Sequence, residues 1–191
     1  MNLVLASASP RRAELLEAAG FQFTIAAADV DETVLTGESP DAYVARVALD
    51  KARTVAARYP PDAVVLAADT TVVVGGEILG KPLDNADAAR MLALLSGTVH
   101  DVLTAVVVNH GGVEWADLAR TRVHFVELTA DDVAWYVGTG EPEGKAGAYA
   151  IQGRAARFVD WIEGSWSNVV GLPVAAVARL LAATGFPAGR A

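Results

Sequence analysis

The sequence predicts an α/β protein with a mixed β-sheet flanked by helices, and three observations carry that prediction. Short apolar runs of strand length, such as residues 3–6 and 64–68, are interleaved with longer stretches whose apolar residues recur at helical spacing. The interleaving is not strict: two β-rich runs, 99–108 and 113–128, follow one another across a turn signal, which a purely parallel sheet does not contain. Finally, 53% of the 191 residues are hydrophobic, enough to bury a core as a single domain over 1–191, with room for a lobe.

Taken in order, residues 3–6 form the first strand and Ser7-Ala8-Ser9 a loop. Ser9 is placed to cap a helix whose first position is Pro10, where a missing N–H costs nothing. Leu15, Leu16 and Ala19 give that helix its buried face, and Gly20 ends it. Arg11 and Arg12 fall in the first turn, where cations oppose the helix dipole. They either face solvent or, with the free N–H groups of that turn, form a cradle for a polyphosphate. Residues 21–26 read as a second strand, followed by a loop holding Asp29, Asp31 and Glu32. Such carboxylates are usually solvated, yet they are also what a hard divalent cation needs. Ser39-Pro40 repeats the cap signal and opens a helix to about Tyr59, stopped by Pro60-Pro61. Val44, Val47, Ala48 and Val55 mark its apolar stripe, and Lys51 lies on the same stripe. Its ammonium either snorkels from the rim of a core or enters a cleft where it would meet phosphate.

The central stretch is 64–82, VVLAADTTVVVGGEILGKP. Residues 64–68 fill a buried strand, and 71–74, Gly75-Gly76 and 77–79 read as a hairpin. Asp69 is thereby expected where a core strand emerges, beside the Thr70 hydroxyl, with Lys81 beyond the hairpin. A carboxylate on rigid backbone there can bind a metal or take a proton from water; its plainer use is to cap a strand end. Asn85 is expected to cap a helix bearing Ala89, Met91, Leu92 and Leu95 that ends near Gly97. Residues 109–112 join the two long β runs. Thr129 with Asp132 resembles a capping box before a short helix to Val137. Residues 139–147 form a Gly-rich loop holding Lys145, 149–151 and 157–162 read as strands, and Pro173 opens a last helix closed by Gly185.

Composition narrows the function. A formal charge of −8 argues against a nucleic acid or an anionic membrane as partner, since both need a positive footprint. With no cysteine, disulfides, thiolate metal sites and cysteine nucleophiles are excluded. His100, His110 and His124 are too scattered for a zinc motif, and His100, alternating with apolar neighbours, reads as a hydrogen-bonded structural histidine. No apolar run reaches membrane length and a strand begins within three residues of the start, so a cytoplasmic protein is expected.

Six segments in this order resemble the Maf family of nucleoside triphosphate pyrophosphatases: LASASPRR (5–12), AADTTV (67–72), LGKP (79–82), LSGTVHDVLTAV (95–106), KAGAYAIQG (145–153) and NVVGLP (168–173). The resemblance implies an elongated mixed sheet with two lobes and a cleft between them, related to the inosine triphosphate pyrophosphatases, in a homodimer. It implies metal-dependent cleavage between the α- and β-phosphates, with Mg²⁺ or Mn²⁺ as cofactor. Carried over residue by residue, it makes Asp69 the catalytic residue and, with Glu32, the metal ligand. Ser7, Arg11, Arg12, Lys51, Thr70, Lys81, Lys145 and Gln152 become substrate contacts. The AYAIQG segment resembles the branch acting on dTTP and UTP; in the branch acting on 7-methyl-GTP an acidic residue tends to replace Gln152. A non-catalytic regulator of septum formation is the alternative outside enzymology, and the lack of a Gly-x4-Gly-Lys-Ser/Thr loop argues against a P-loop enzyme cutting at the γ-phosphate. One departure stands out: Gly144 occupies the position where the family usually has Asp before Lys145, leaving Glu141 and Glu143 as the nearby carboxylates.

Overall fold

The computed structural model describes residues 1–187. In chain order the elements are β1 (Leu3–Leu5), α1 (Pro10–Ala18), β2 (Thr24–Ile25), α2 (Pro40–Ala56), β3 (Val64–Val74), β4 (Glu77–Leu79), α3 (Asn85–Leu95), β5 (Val99–His110), β6 (Val113–Phe125), α4 (Ala130–Gly138), β7 (Val159–Glu163), α5 (Trp166–Val170) and α6 (Val174–Ala183). Among the described residues the seven strands form one mixed sheet in the order β2-β1-β3-β5-β6-β7, with β4 paired to β3. β1 runs parallel to β2 and β3, whereas β3–β4 and β6–β7 are antiparallel. The mixed α/β class expected from the sequence is thus the one observed.

The chain divides into two compact units. The first comprises Met1–Asp69, Thr104–Ala119 and the segment from Gly171; the second comprises Thr70–Leu103 and Arg120–Val170. In the first, Leu3, Leu5, Val64, Leu66 and Ala68 point to one face of the sheet and bury against Leu16 of α1 and Val177 and Leu181 of α6. Strand side chains alternate, so Val65, Ala67 and Asp69 share the opposite face. In the second unit Phe125, Tyr136, Tyr149 and Phe158 are buried together in edge-to-face and tilted contacts. His100 joins them, its Nε2 2.9 Å from the Tyr149 hydroxyl, and burial drives its pKa down to about 3. It is a structural, neutral histidine, as its spacing suggested.

Several elements differ from the sequence reading. β3 does not end at residue 68: it continues through Asp69 and Thr70 to Val74, so Asp69 is set within a strand. β2 is a two-residue strand on the sheet edge, much shorter than 21–26, because it pairs only with Val4 and Leu5. Asp84, not Asn85, caps α3, its carboxylate accepting from the Asp87 amide at 2.8 Å. Residues 149–151 are no strand, since the Ala150 amide donates to the Tyr136 hydroxyl and its carbonyl closes a turn with Gly153. Of 157–162, the first residues belong to a tight turn, Arg154–Phe158, and only then does β7 begin. α5 has five residues and was not anticipated. By contrast the Thr129–Asp132 capping box is formed in both directions, and Ser39 caps α2 through the Ala42 amide.

Candidate active site

In the first unit, helix spacing and strand alternation bring opposite charges together. Tyr43, Val47 and Lys51 succeed one another at intervals of four on α2, and all three are buried. Lys51 reaches the β3 face that carries Asp69, where its Nζ lies 2.7 Å from Asp69 Oδ1. The same ammonium is 2.6 Å from Glu32 Oε1 in the loop before α2. Lys51 is therefore not a rim residue with its head in water: it is 7% exposed, Asp69 6%, and each compensates the other's burial. The Glu32 loop is tied down independently. The Tyr43 hydroxyl donates to the Glu32 carbonyl at 3.1 Å, while the Arg46 guanidinium binds both oxygens of Glu38 and the Thr33 carbonyl. Burial, reinforced by the negative charges of Asp69 and Glu32, lifts the Tyr43 pKa to about 12, so it stays a donor. The Arg46 fork holds Glu38 ionised, down to about 2.

The two arginines of the first helical turn behave differently. Arg12 is buried, donates from Nε to the Gly171 carbonyl at 2.8 Å and from Nη1 to Ser7 Oγ at 3.1 Å. Burial lowers its pKa, Asp69 and Glu32 pull it back up, and Arg11 opposes them. Arg11 itself is half-buried. Ser9, the expected cap, makes no side-chain cap bond; its own amide instead donates to Ser7 Oγ, so Ser7 organises this loop. Ser7, Arg12, Glu32, Lys51 and Asp69 thus form one electrostatic cluster.

Glu32 and Asp69 also suit a divalent cation. Among the described residues no set of three or more His, Cys, Asp or Glu side chains gathers as a metal cage. Mg²⁺ does not require one: it is typically held by one or two carboxylates, with waters and substrate phosphates completing its shell. Two carboxylates already drawn together by one ammonium fit that pattern, and they would be the ligands.

The remaining residues singled out from the sequence belong to the second unit. Thr70 follows Asp69 on β3 and is half-buried; Lys81 is exposed after β4. Lys145 is half-buried and its Nζ donates to the Glu143 carbonyl at 3.2 Å. Gln152 is exposed at the centre of a turn. Glu141 is not a spare carboxylate for metal or water: its oxygens accept from the Tyr136 hydroxyl and the Arg154 and Ala155 amides. Close packing explains one glycine of the late loop. An ideal Cβ on Gly147, at φ +68°, would lie 2.7 Å from Val72 Cγ2, while its amide donates to the Gly80 carbonyl. Tyr43, Arg46 and Tyr136 were missed in the sequence. Tyr43 carried a signal in its spacing from Lys51, whereas the partners of Arg46 and Tyr136 are set by loops and had none.

In this α/β fold one buried ammonium joins two carboxylates, and the buried guanidinium of Arg12 lies in their field. The chain belongs to the Maf family, matching the Maf-like protein family over residues 2–184. The dTTP/UTP pyrophosphatase of Anaeromyxobacter dehalogenans is 57% identical over 190 residues, spanning 97% of this chain and 95% of that protein. The dTTP/UTP pyrophosphatase of Myxococcus xanthus is 53% identical over 97% of this chain and 93% of its own length. The solved structure of the Staphylococcus aureus Ham1 protein is a more distant likeness, with a TM-score of 0.49 and 16% identity over 65% of this chain and 72% of that one.

Proposed function

We propose that this protein hydrolyses dTTP and UTP to the nucleoside monophosphate and pyrophosphate, by attack of water on the α-phosphorus. The names of relatives more than 50% identical over nearly the whole chain support the substrate class. The single observation that carries the chemistry is the buried Lys51–Asp69 pair with Glu32 on the same ammonium.

Asp69 orients the attacking water and accepts its proton as the new P–O bond forms and the bond to the bridging oxygen breaks. Lys51 holds the Asp69 carboxylate in place, its Nζ 2.7 Å from Asp69 Oδ1. Glu32 and Asp69 would hold Mg²⁺ or Mn²⁺, which when bound neutralises phosphate charge near the reacting phosphorus. Ser7, Arg11 and Arg12 contact the phosphates, and on the family's pattern Thr70, Lys81, Lys145 and Gln152 also contact substrate. The whole chain acts as one pyrophosphatase domain, as a homodimer in the cytoplasm. The net charge of −8 disfavours nucleic acid or membrane as a partner, and among the described residues no helix is long and apolar enough to cross a membrane.

The test is product identification by chromatography over a panel of nucleotides. UTP and dTTP should yield monophosphate and pyrophosphate, with activity abolished by EDTA and restored by Mg²⁺ or Mn²⁺. Release of diphosphate and orthophosphate would overturn the site of cleavage, and full activity in chelator would overturn the metal.

A further inference from the structure

Gln152 stands in a turn flanked by residues that Glu141 and the buried Tyr136 hold. The Glu141 carboxylate accepts from the Arg154 amide at 3.1 Å and the Ala155 amide at 3.4 Å. It also fills the space a side chain would need at Gly153, where an added Cβ would run into the Glu141 carboxylate. Tyr136, fully buried, donates to Glu141 at 2.9 Å and accepts from the Ala150 amide at 3.1 Å. Residues 150 and 153–155 are therefore fixed on both sides of Gln152, which itself remains exposed. Burial pulls the Glu141 carboxyl upward, but the Arg154 amide, the Tyr136 hydroxyl and the Ala155 amide outweigh it and hold it ionised. Its neighbours Gly140, Pro142 and Glu143 line a cavity of about 550 Å³ in the same unit, also lined by Pro82, Leu83 and Asn85. That volume lies within the range of small-ligand sites, ~300–1,000 Å³.

We propose that Glu141, locked by the Tyr136 hydroxyl, is a positioning residue for base selection: it sets the turn from which Gln152 meets the pyrimidine. This rests on Gln152 reading the base. A carboxylate can accept from three donors at once, whereas a glutamine amide at position 141 would turn an NH₂ toward one of them. The turn would then shift, and with it the placement of the Gln152 amide.

The experiment measures kcat and KM for UTP, dTTP, CTP and GTP with the full chain. The variants are Glu141→Gln, Tyr136→Phe, Gln152→Ala and the double variant Glu141→Gln/Gln152→Ala. Glu141→Gln should reduce kcat/KM for UTP and dTTP about tenfold more than for GTP, mainly through KM. Added to Gln152→Ala, it should cost no further selectivity, because the residue it positions is gone. Tyr136→Phe should act in the same direction by less, and decides alone should Glu141→Gln fail to fold. Equal losses on all nucleotides in both network variants, with Gln152→Ala still selective, would overturn the positioning role and leave base reading intact. Equal losses from Gln152→Ala itself would overturn base reading and the positioning proposal together.

Discussion

In the first unit the ion pair of Lys51 and Asp69 joins a helix to a strand, whereas in the second Lys81 and Gln152 stand outside helices and strands. Lys51 and Asp69 are buried, oppositely charged and fixed by regular backbone on both sides. Gln152 and Lys81 are exposed, and the turn around Gln152 keeps its shape through borrowed side chains, Tyr136 and Glu141. A misplaced proton acceptor costs orders of magnitude in rate, so rigid elements suit the first unit. A group that discriminates among ligands has to stand clear of the core, and turns provide that at the cost of needing a supporting network. Substitutions in the first unit should therefore change rate and stability, and substitutions in the second should change selectivity.

The largest effect is expected at Asp69. Asp69→Asn should lower kcat by roughly 10²–10⁴-fold, the range for losing a positioned base, with the fold retained because Asn preserves the size of the side chain. Turnover near wild type at saturating Mg²⁺ would remove Asp69 from the chemistry. Lys51→Met comes next and acts on stability as well as rate. It removes the ammonium that joins buried Asp69 to Glu32, a loss on the order of 3 kcal/mol, or roughly 10 °C in Tm. Besides the substrate contact expected from the family resemblance, the Lys51 ammonium holds two carboxylates within 2.7 Å. An unchanged melting curve with weakened nucleotide binding would restore the simpler role.

How much of this was legible in the sequence follows the same division. The Ser39 cap of α2, the Gly75-Gly76 hairpin and the Thr129 capping box depend on near neighbours in the chain, and they were readable, whereas the caps expected at Ser9 and Asn85 were not the ones formed. The pairing of Lys51 with Asp69 was half-readable: a lysine on an apolar stripe was conspicuous, but its partner required β3 to run past the Asp69-Thr70 pair. Those are turn-favouring residue types, and tertiary pairing overrode the local signal. Residues 149–151 misled in the opposite sense. Tyr, Ala and Ile suggest a strand, yet the amide of Ala150 is taken by Tyr136 and its carbonyl by a turn. Glu141 could be noticed as a carboxylate but not assigned, because its partners lie 5 to 14 residues away.

A smaller and more selective effect is expected at Gln152. The uracil and thymine edge presents an N–H donor between two carbonyl acceptors, which a glutamine amide can match with its own acceptor and donor. Gln152→Glu puts an acceptor-only group against a carbonyl oxygen, so UTP and dTTP should lose about tenfold or more in kcat/KM relative to GTP derivatives. The melting temperature should stay within about 1 °C, because an exposed turn residue contributes little to stability. Equal losses across the panel would show that the two units do not divide rate from selectivity.

The smallest effect is expected from restoring the acid of the family pattern at position 144. Gly144 has φ +68°, the left-handed region that glycine enters freely and that Asp tolerates better than most residues. Nothing lies within 4 Å of the Cβ that Asp would add, so the cost is backbone strain without a clash. Strain of about 1 kcal/mol is partly offset by the lower entropy of the unfolded chain, and Gly144→Asp should shift Tm by no more than a few degrees. If the metal is held by Glu32 and Asp69 in the first unit, a new carboxylate in the late loop has no essential task there. Turnover and the Mg²⁺ concentration for half-maximal activity should then stay within about twofold of wild type, well below the tenfold step that a lost or gained charged contact produces. A tenfold rise in turnover or in apparent Mg²⁺ affinity would mean that the late loop supplies part of the metal or water site. The division between a catalytic first unit and a selective second one would then fail at the metal, and Gly144 would mark a weakened ligand position in place of a neutral backbone solution.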